Sequence, residues 1–196
     1  MEKKFPEFSF VGMDINEELI NEGNDLIREQ NLNNCKLFAC DLYNLPPELS
    51  KAFDGVISFQ TLSWLPEYSH PIKIFSKLAK RWVSMTSLFF EGNLNCTTKV
   101  EDHNHLDKPK EYFYNIYSLP LVKKSFAENG FDYFQFKKFE IDIDLEKSNP
   151  DGIGTFTEKL VDGKRIQFSG PLHLPWYFVF SETQKLTTQL RSLSND

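Results

Sequence analysis

The sequence predicts an α/β protein, a three-layer sandwich whose mostly parallel sheet is covered by helices. Three observations lead there. Short apolar runs alternate with helical patterns through the first half, several of these runs close on a polar residue, and the spacings between them suit helical crossovers, which run right-handed between parallel strands. The 196 residues, 40% hydrophobic and 15% aromatic, can bury one substantial core.

Taken in order, Phe8 to Asp14 is apolar, aromatic and short, which suits a buried strand ending in an acid. Asn16 then caps a helix whose Leu19, Ile20, Leu26 and Ile27 fall on one stripe, and the asparagines from 31 to 34 end it. Cys35 to Leu42 is a second strand, again closing on an acid, Asp41. Pro46 and Pro47 allow only a short helical turn before a third strand, Phe53 to Gln60. Pro71 to Lys80 is an amphipathic helix carrying Ile72, Ile74, Phe75 and Leu78, and Trp82 to Phe90 a fourth strand followed by Glu91. Ligands of such sheets bind beyond the carboxyl ends of the strands, where Asp14, Asp41, Gln60 and Glu91 are expected on one rim. An acid in that position serves about as often as a cap or turn residue.

The second half changes character. Residues 91–117 are long, polar and aromatic without strong periodicity, which reads as a lid or substrate loop. Ser118 to Gly130 is a helix with a glycine stop, and residues 131–145 alternate through Phe134, Phe136, Phe139, Ile141 and Ile143 as a strand with one irregularity. Residues 146–172 form an insertion containing a hairpin with an Asp162-Gly163 turn, and 174–180 are a final antiparallel strand. The reading is a single domain over 1–182 and a polar tail over 183–196.

The chain has 22 Lys and Arg against 28 Asp and Glu, a net charge of −6, with no basic patch to draw nucleic acid or an anionic membrane. No apolar stretch approaches a bilayer span and no apolar segment follows the first residues to make a signal peptide, so the expected location is cytoplasmic. Cys35, Cys40 and Cys96 cannot all pair and read as free buried thiols. No metal is expected, since there is no close-spaced cysteine pair and no matching second pair of ligands, and His103 and His105, near Asp102 and Asp107, read as ordinary loop histidines.

The succession Val11-Gly12-Met13-Asp14-Ile15, then Cys40-Asp41-Leu42-Tyr43-Asn44-Leu45-Pro46, then residues 53–65 reading Phe-Asp-Gly-Val-Ile-Ser-Phe-Gln-Thr-Leu-Ser-Trp-Leu, then residues 125–131 reading Ser-Phe-Ala-Glu-Asn-Gly-Phe, resembles class I S-adenosylmethionine-dependent methyltransferases of the bacterial small-molecule type. The resemblance runs from about Phe8 to Phe180 and implies a Rossmann-like fold, S-adenosylmethionine as cofactor and a small-molecule methyl acceptor. It makes Asp14 the acceptor for the ribose hydroxyls and Ile15 a wall for adenine. Asp41 would accept from the adenine amino group and the Leu42 N–H would face a ring nitrogen. Phe59 and Gln60 would border the methionine portion and the sulfonium. Trp64 and Tyr117 would wall the substrate, and Glu91, His103 or His105 could supply a base if the nucleophile needs one.

That family begins with a strand and a glycine-rich turn about 20 residues before the ribose acid, a position that falls ahead of Met1 here. The expectation is a methyltransferase fold with its first strand missing, whose neighbours keep open sheet edges available for oligomer formation. The alternative is a non-catalytic methyltransferase-like module that associates with a partner. A nicotinamide-dependent oxidoreductase ranks lower, because Asp41-Leu42 and Phe59-Gln60 follow the methyltransferase pattern.

Overall fold

A computed structural model describes residues 2–104, 108–148 and 152–183. His105 and the tail from residue 184 onward lie outside the described residues. The chain divides into two compact units, Met1–Leu49 and Ser50–Asp196, each treated by itself below.

The first unit is a strand, helix, strand crossover. β1 (Phe10–Asp14) and β2 (Cys35–Ala39) pair in parallel from Phe10↔Cys35 to Asp14↔Ala39, joined by α1 (Glu17–Glu29). As the sequence predicts, Asn16 starts the helix: its side chain accepts from Glu18 N at 3.0 Å and Leu19 N at 3.2 Å, pairing two N–H groups that have no partner inside the helix. Leu37 of β2 fills the space left by two missing side chains, because a Cβ at either Gly12 or Gly23 would overlap it. Ile20 is the buried apolar residue of α1, whereas Leu19 and Leu26 on the same helix are exposed.

In the second unit β3 (Phe53–Phe59), β4 (Ala79–Phe90), β12 (Trp176–Glu182) and β8 (Tyr133–Lys138) lie side by side in that order. β3 and β4 are parallel, β12 is antiparallel to both neighbours, and β7 (Tyr117–Ser118) adds in parallel at the far end of β4. α2 (Ser69–Leu78) packs on β3, β4 and α3 (Leu119–Glu128). Alternation along β4 buries Val83, Met85, Ser87 and Phe89, and Ile72, Phe75, Val122 and Phe126 complete the apolar set from the helices. The opposite face carries Trp82 stacked on Phe180 at 6.2 Å, with Ile57 and Phe178 exposed. Trp82 lies over Gly55, where any Cβ would overlap the indole. Gly55→Ala is expected to cost about 2 kcal/mol by forcing the ring aside, read as a lower urea midpoint with unchanged slope.

Residues 91–117, expected to be irregular, contain an antiparallel hairpin, β5 (Lys99–Asp102) with β6 (Lys110–Phe113), closed at its base by a Cys96–Ile116 bridge. Charges at both strands hide the alternation from a hydrophobicity reading, while Lys99 links Glu101 (3.3 Å) to Glu111 (2.8 Å) across the ladder. The predicted strand over 131–145 is shorter, β8 ending at Lys138. The predicted Asp-Gly hairpin is present as β9 (Thr155–Lys159) and β10 (Arg165–Ser169), with Gly163 at φ 84° and Leu160 N donating to Lys164 O at 2.7 Å. A short β11 (Leu172–His173) extends that sheet. Cys96 is exposed, and Cys35 and Cys40 are half-buried, so the fully buried thiols expected from sequence are not found. No helix among the described residues is long and apolar enough to cross a membrane.

Candidate functional site

In the first unit, the parallel pairing places Asp14 and Asp41 beyond the same end of adjacent strands. The Cys40 N–H donates to the Asp14 carbonyl at 2.8 Å, carrying the ladder to the point where both acids leave it. Each acid also shapes its own turn. Asp14 Oδ1 accepts from Asn16 N at 2.9 Å, leaving Oδ2 with no hydrogen-bond partner among the described residues. Asp41 accepts from Tyr43 N at 2.9 Å through Oδ1 and from Asn44 Nδ2 at 2.6 Å through Oδ2, capping a 3₁₀ turn over Leu42–Asn44. The Leu42 N–H, at the first position of that turn, has no partner inside it. Ile15 stands 72% exposed beside Asp14. Together these supply an open carboxylate oxygen, a second carboxylate, an unshared N–H and an apolar surface at one strand end. The capping role and the ligand role named in the sequence reading are therefore compatible, since a carboxylate oxygen that accepts one N–H retains a lone pair.

In the second unit, Phe59 and Gln60 stand at the carboxyl end of β3. Gln60 adopts φ 57°, the left-handed region, and its N–H donates to Thr86 O at 2.9 Å. A side-chain-bearing residue held there stores about 1–3 kcal/mol of strain, a state that concentrates at functional turns. Phe59 is 56% exposed.

Glu91 does not share that rim. β4 runs four residues past Thr86, about 13 Å at about 3.3 Å per strand residue, and Glu91 follows beyond its end. Its Oε1 instead accepts from the Tyr177 hydroxyl at 2.9 Å. Burial first, and then the hydrogen bond and negative charge of Glu91, push the Tyr177 phenol up to about 12. The folded value exceeds the unfolded one of about 10, so this stabilisation is fully present below pH 10 and is lost as pH rises toward 12. An alkaline absorbance titration is expected to show a late-ionising tyrosine whose midpoint falls in Glu91→Gln.

The predicted substrate residues separate. Trp64 is half-exposed and packs on Tyr114 at 4.6 Å and Tyr112 at 5.6 Å, so it remains available to a ligand. Tyr117 is 3% exposed, and its hydroxyl donates to Leu65 O at 2.7 Å while accepting from Asn115 Nδ2 at 2.9 Å; it belongs to the core and does not wall a substrate. His103 is exposed at the tip of the β5–β6 hairpin, 4.0 Å from Glu101. Among the described residues no group of three or more His, Cys, Asp or Glu side chains could hold a metal.

The sequence reading missed Asn115, which orders the approach to Trp64. It is fully buried; its side chain accepts from Thr98 N at 3.0 Å and donates to Leu65 O at 2.8 Å, and its N–H donates to Ser63 O at 2.8 Å. A lone asparagine in a polar run gives no periodic signal.

The parallel crossover with acids at its carboxyl ends, joined in sequence to a mixed sheet with antiparallel final strands, is a Rossmann-like architecture. Residues 1–82 match the family model described as a methyltransferase domain. No curated protein matches the chain in sequence. Among solved structures, YcgJ of Bacillus subtilis is similar with TM-score 0.58 and 13% identity, over 90% of this chain and 83% of that one. The N-terminal domain of EvdMO1, crystallised with S-adenosylhomocysteine bound, gives 0.56 and 13%, over 92% of this chain and 67% of that one. A methyltransferase of Methanosarcina mazei gives 0.56 and 13%, over 89% and 82%. At these identities the likeness is one of fold.

Proposed function

We propose that this protein transfers a methyl group from S-adenosylmethionine to a small-molecule acceptor, with the first unit holding the adenosine portion. The observation that carries the reading is the Asp14 carboxylate, which keeps Oδ2 open at a strand end beside an exposed Ile15. Two adjacent ribose hydroxyls donate to such a carboxylate, Ile15 lies along adenine, Asp41 accepts from the adenine amino group, and the Leu42 N–H donates to a ring nitrogen. The cofactor supplies an activated methyl group and a neutral thioether leaving group, so the protein's contribution is binding, alignment and exclusion of water. Bound S-adenosylhomocysteine in EvdMO1 supports this choice of cofactor.

The experiment is calorimetric titration with S-adenosylmethionine, S-adenosylhomocysteine and reduced nicotinamide dinucleotide. Micromolar binding of the first two without the third is expected; the reverse order would assign the ribose acid to an oxidoreductase.

A second reading, a binding module that associates through its sheet edges, is favoured by one observation. Among the described residues β1 pairs only with β2 and β3 only with β4, and each leaves one edge unpaired. It expects a concentration-dependent dimer in light scattering, and a monomer at every concentration would discard it.

A further inference from the structure

A cavity of about 570 Å³ lies in the second unit between the tip of the β5–β6 hairpin and the loops flanking β9 to β11. That volume falls within the range of small-molecule sites, about 300–1,000 Å³. Its apolar lining is Val100, Ile153 and Pro171, and the first two pack against the buried cluster of Leu88, Tyr114 and Leu174, which gives the floor a firm backing. Gly152 and Gly170 form part of the wall. Gly170 sits at φ 54°, and a Cβ there would come 3.3 Å from Ile153 Cδ1 and 3.4 Å from Gly152 O, so the close approach of the two segments depends on glycine.

The polar lining residues are Glu101, Asp102, His103, Asn104 and Lys147, a set that carries both acceptors and donors. These charges are already answered within the protein. Glu101 is 3.3 Å from Lys99, Asp102 accepts from Asn104 N at 3.0 Å and from the Tyr112 hydroxyl at 3.4 Å, and Lys147 lies over the Phe156 ring at 5.4 Å. Two carboxylates stand against one ammonium, and Lys99 offsets one of the two, so the wall offers acceptors and donors together with no concentrated charge of one sign. Hydroxyl groups both donate and accept, so several of them on one ligand can meet the acceptors and the donors of such a mixed wall. The apolar floor calls for a C–H face on the same molecule.

We propose that this cavity binds a neutral polyhydroxylated small molecule of monosaccharide size. The binding does not depend on the methyl-transfer reading, and its test needs no methyl donor.

The test is an NMR titration of the full chain with methyl α-D-glucopyranoside, following isoleucine methyl and histidine ring signals. Saturable shifts at Ile153 and His103 with none at Ile20 are expected. Lys147→Ala, at an exposed position, is expected to weaken the effect about tenfold, and Ile153→Trp to abolish it by filling the floor. The proposal is overturned if a folded chain gives no saturable shift, if both variants respond as the parent does, or if inorganic phosphate or ammonium binds more tightly than the glycoside. Loss of S-adenosylmethionine binding with glycoside binding retained would overturn the proposed function and leave this site standing.

Discussion

Asp14→Ala is expected to weaken S-adenosylhomocysteine binding about a hundredfold or more while leaving the protein folded. Two charge-assisted hydrogen bonds of about 1.5–3 kcal/mol each are lost, and every 1.4 kcal/mol is a factor of ten. Asp14→Asn keeps one oxygen acceptor and should weaken binding by about tenfold, the loss expected from removing charge from one strong contact. The structural share of the effect is separable. Asp14 also accepts the Asn16 N–H, and Asn16 in turn caps α1. Asn16→Ala should therefore cost about 1 kcal/mol of stability with little change in affinity. If Asn16→Ala reduced affinity as much as Asp14→Ala, the acid would be a turn residue and nothing more.

Asn115→Ala is expected to have the largest effect on stability, about 2–4 kcal/mol in urea unfolding. It leaves the half-buried Thr98 N–H without its acceptor and removes a donor from Leu65 O, and it empties the space of a side chain that is itself fully buried. Tyr117→Phe gives the internal comparison. It removes the hydroxyl that also donates to Leu65 O, but Asn115 Nδ2 still reaches that carbonyl, so a cost of about 1 kcal/mol is expected. Trp64 reports the same event optically. Its segment is held through Ser63 O and Leu65 O, and its fluorescence should shift toward that of a solvated indole in Asn115→Ala before global unfolding. Equal costs for the two variants would mean that the asparagine fills space and organises nothing.

The parts legible in the sequence were those written in local chemistry. Asn16 as a cap, the Asp162-Gly163 turn and the closing acids of the first two strands each depend on a few neighbouring residues, and each lies where its pattern puts it. What was not legible depends on partners distant in sequence. The β5–β6 hairpin pairs charges across a ladder, which a hydrophobicity reading takes for a loop. Tyr117 looks like any loop aromatic until Asn115 and Leu65 are placed around it. Glu91 follows a strand just as Gln60 does, yet β4 overshoots β3, and the length of an overshoot is set by pairing with β12 and β7. Shared position after a strand therefore did not mean shared rim.

The central claim is that the first unit holds adenosine at the ends of β1 and β2. Backbone amide mapping of isotope-labelled protein during titration with S-adenosylhomocysteine tests it most directly. Saturable shifts concentrated at Ile15 and Asn16 and at Asp41 to Tyr43, abolished in Asp14→Ala, are expected. Saturation with shifts elsewhere and none at these residues, or a folded protein that shows no shifts at all, would contradict it.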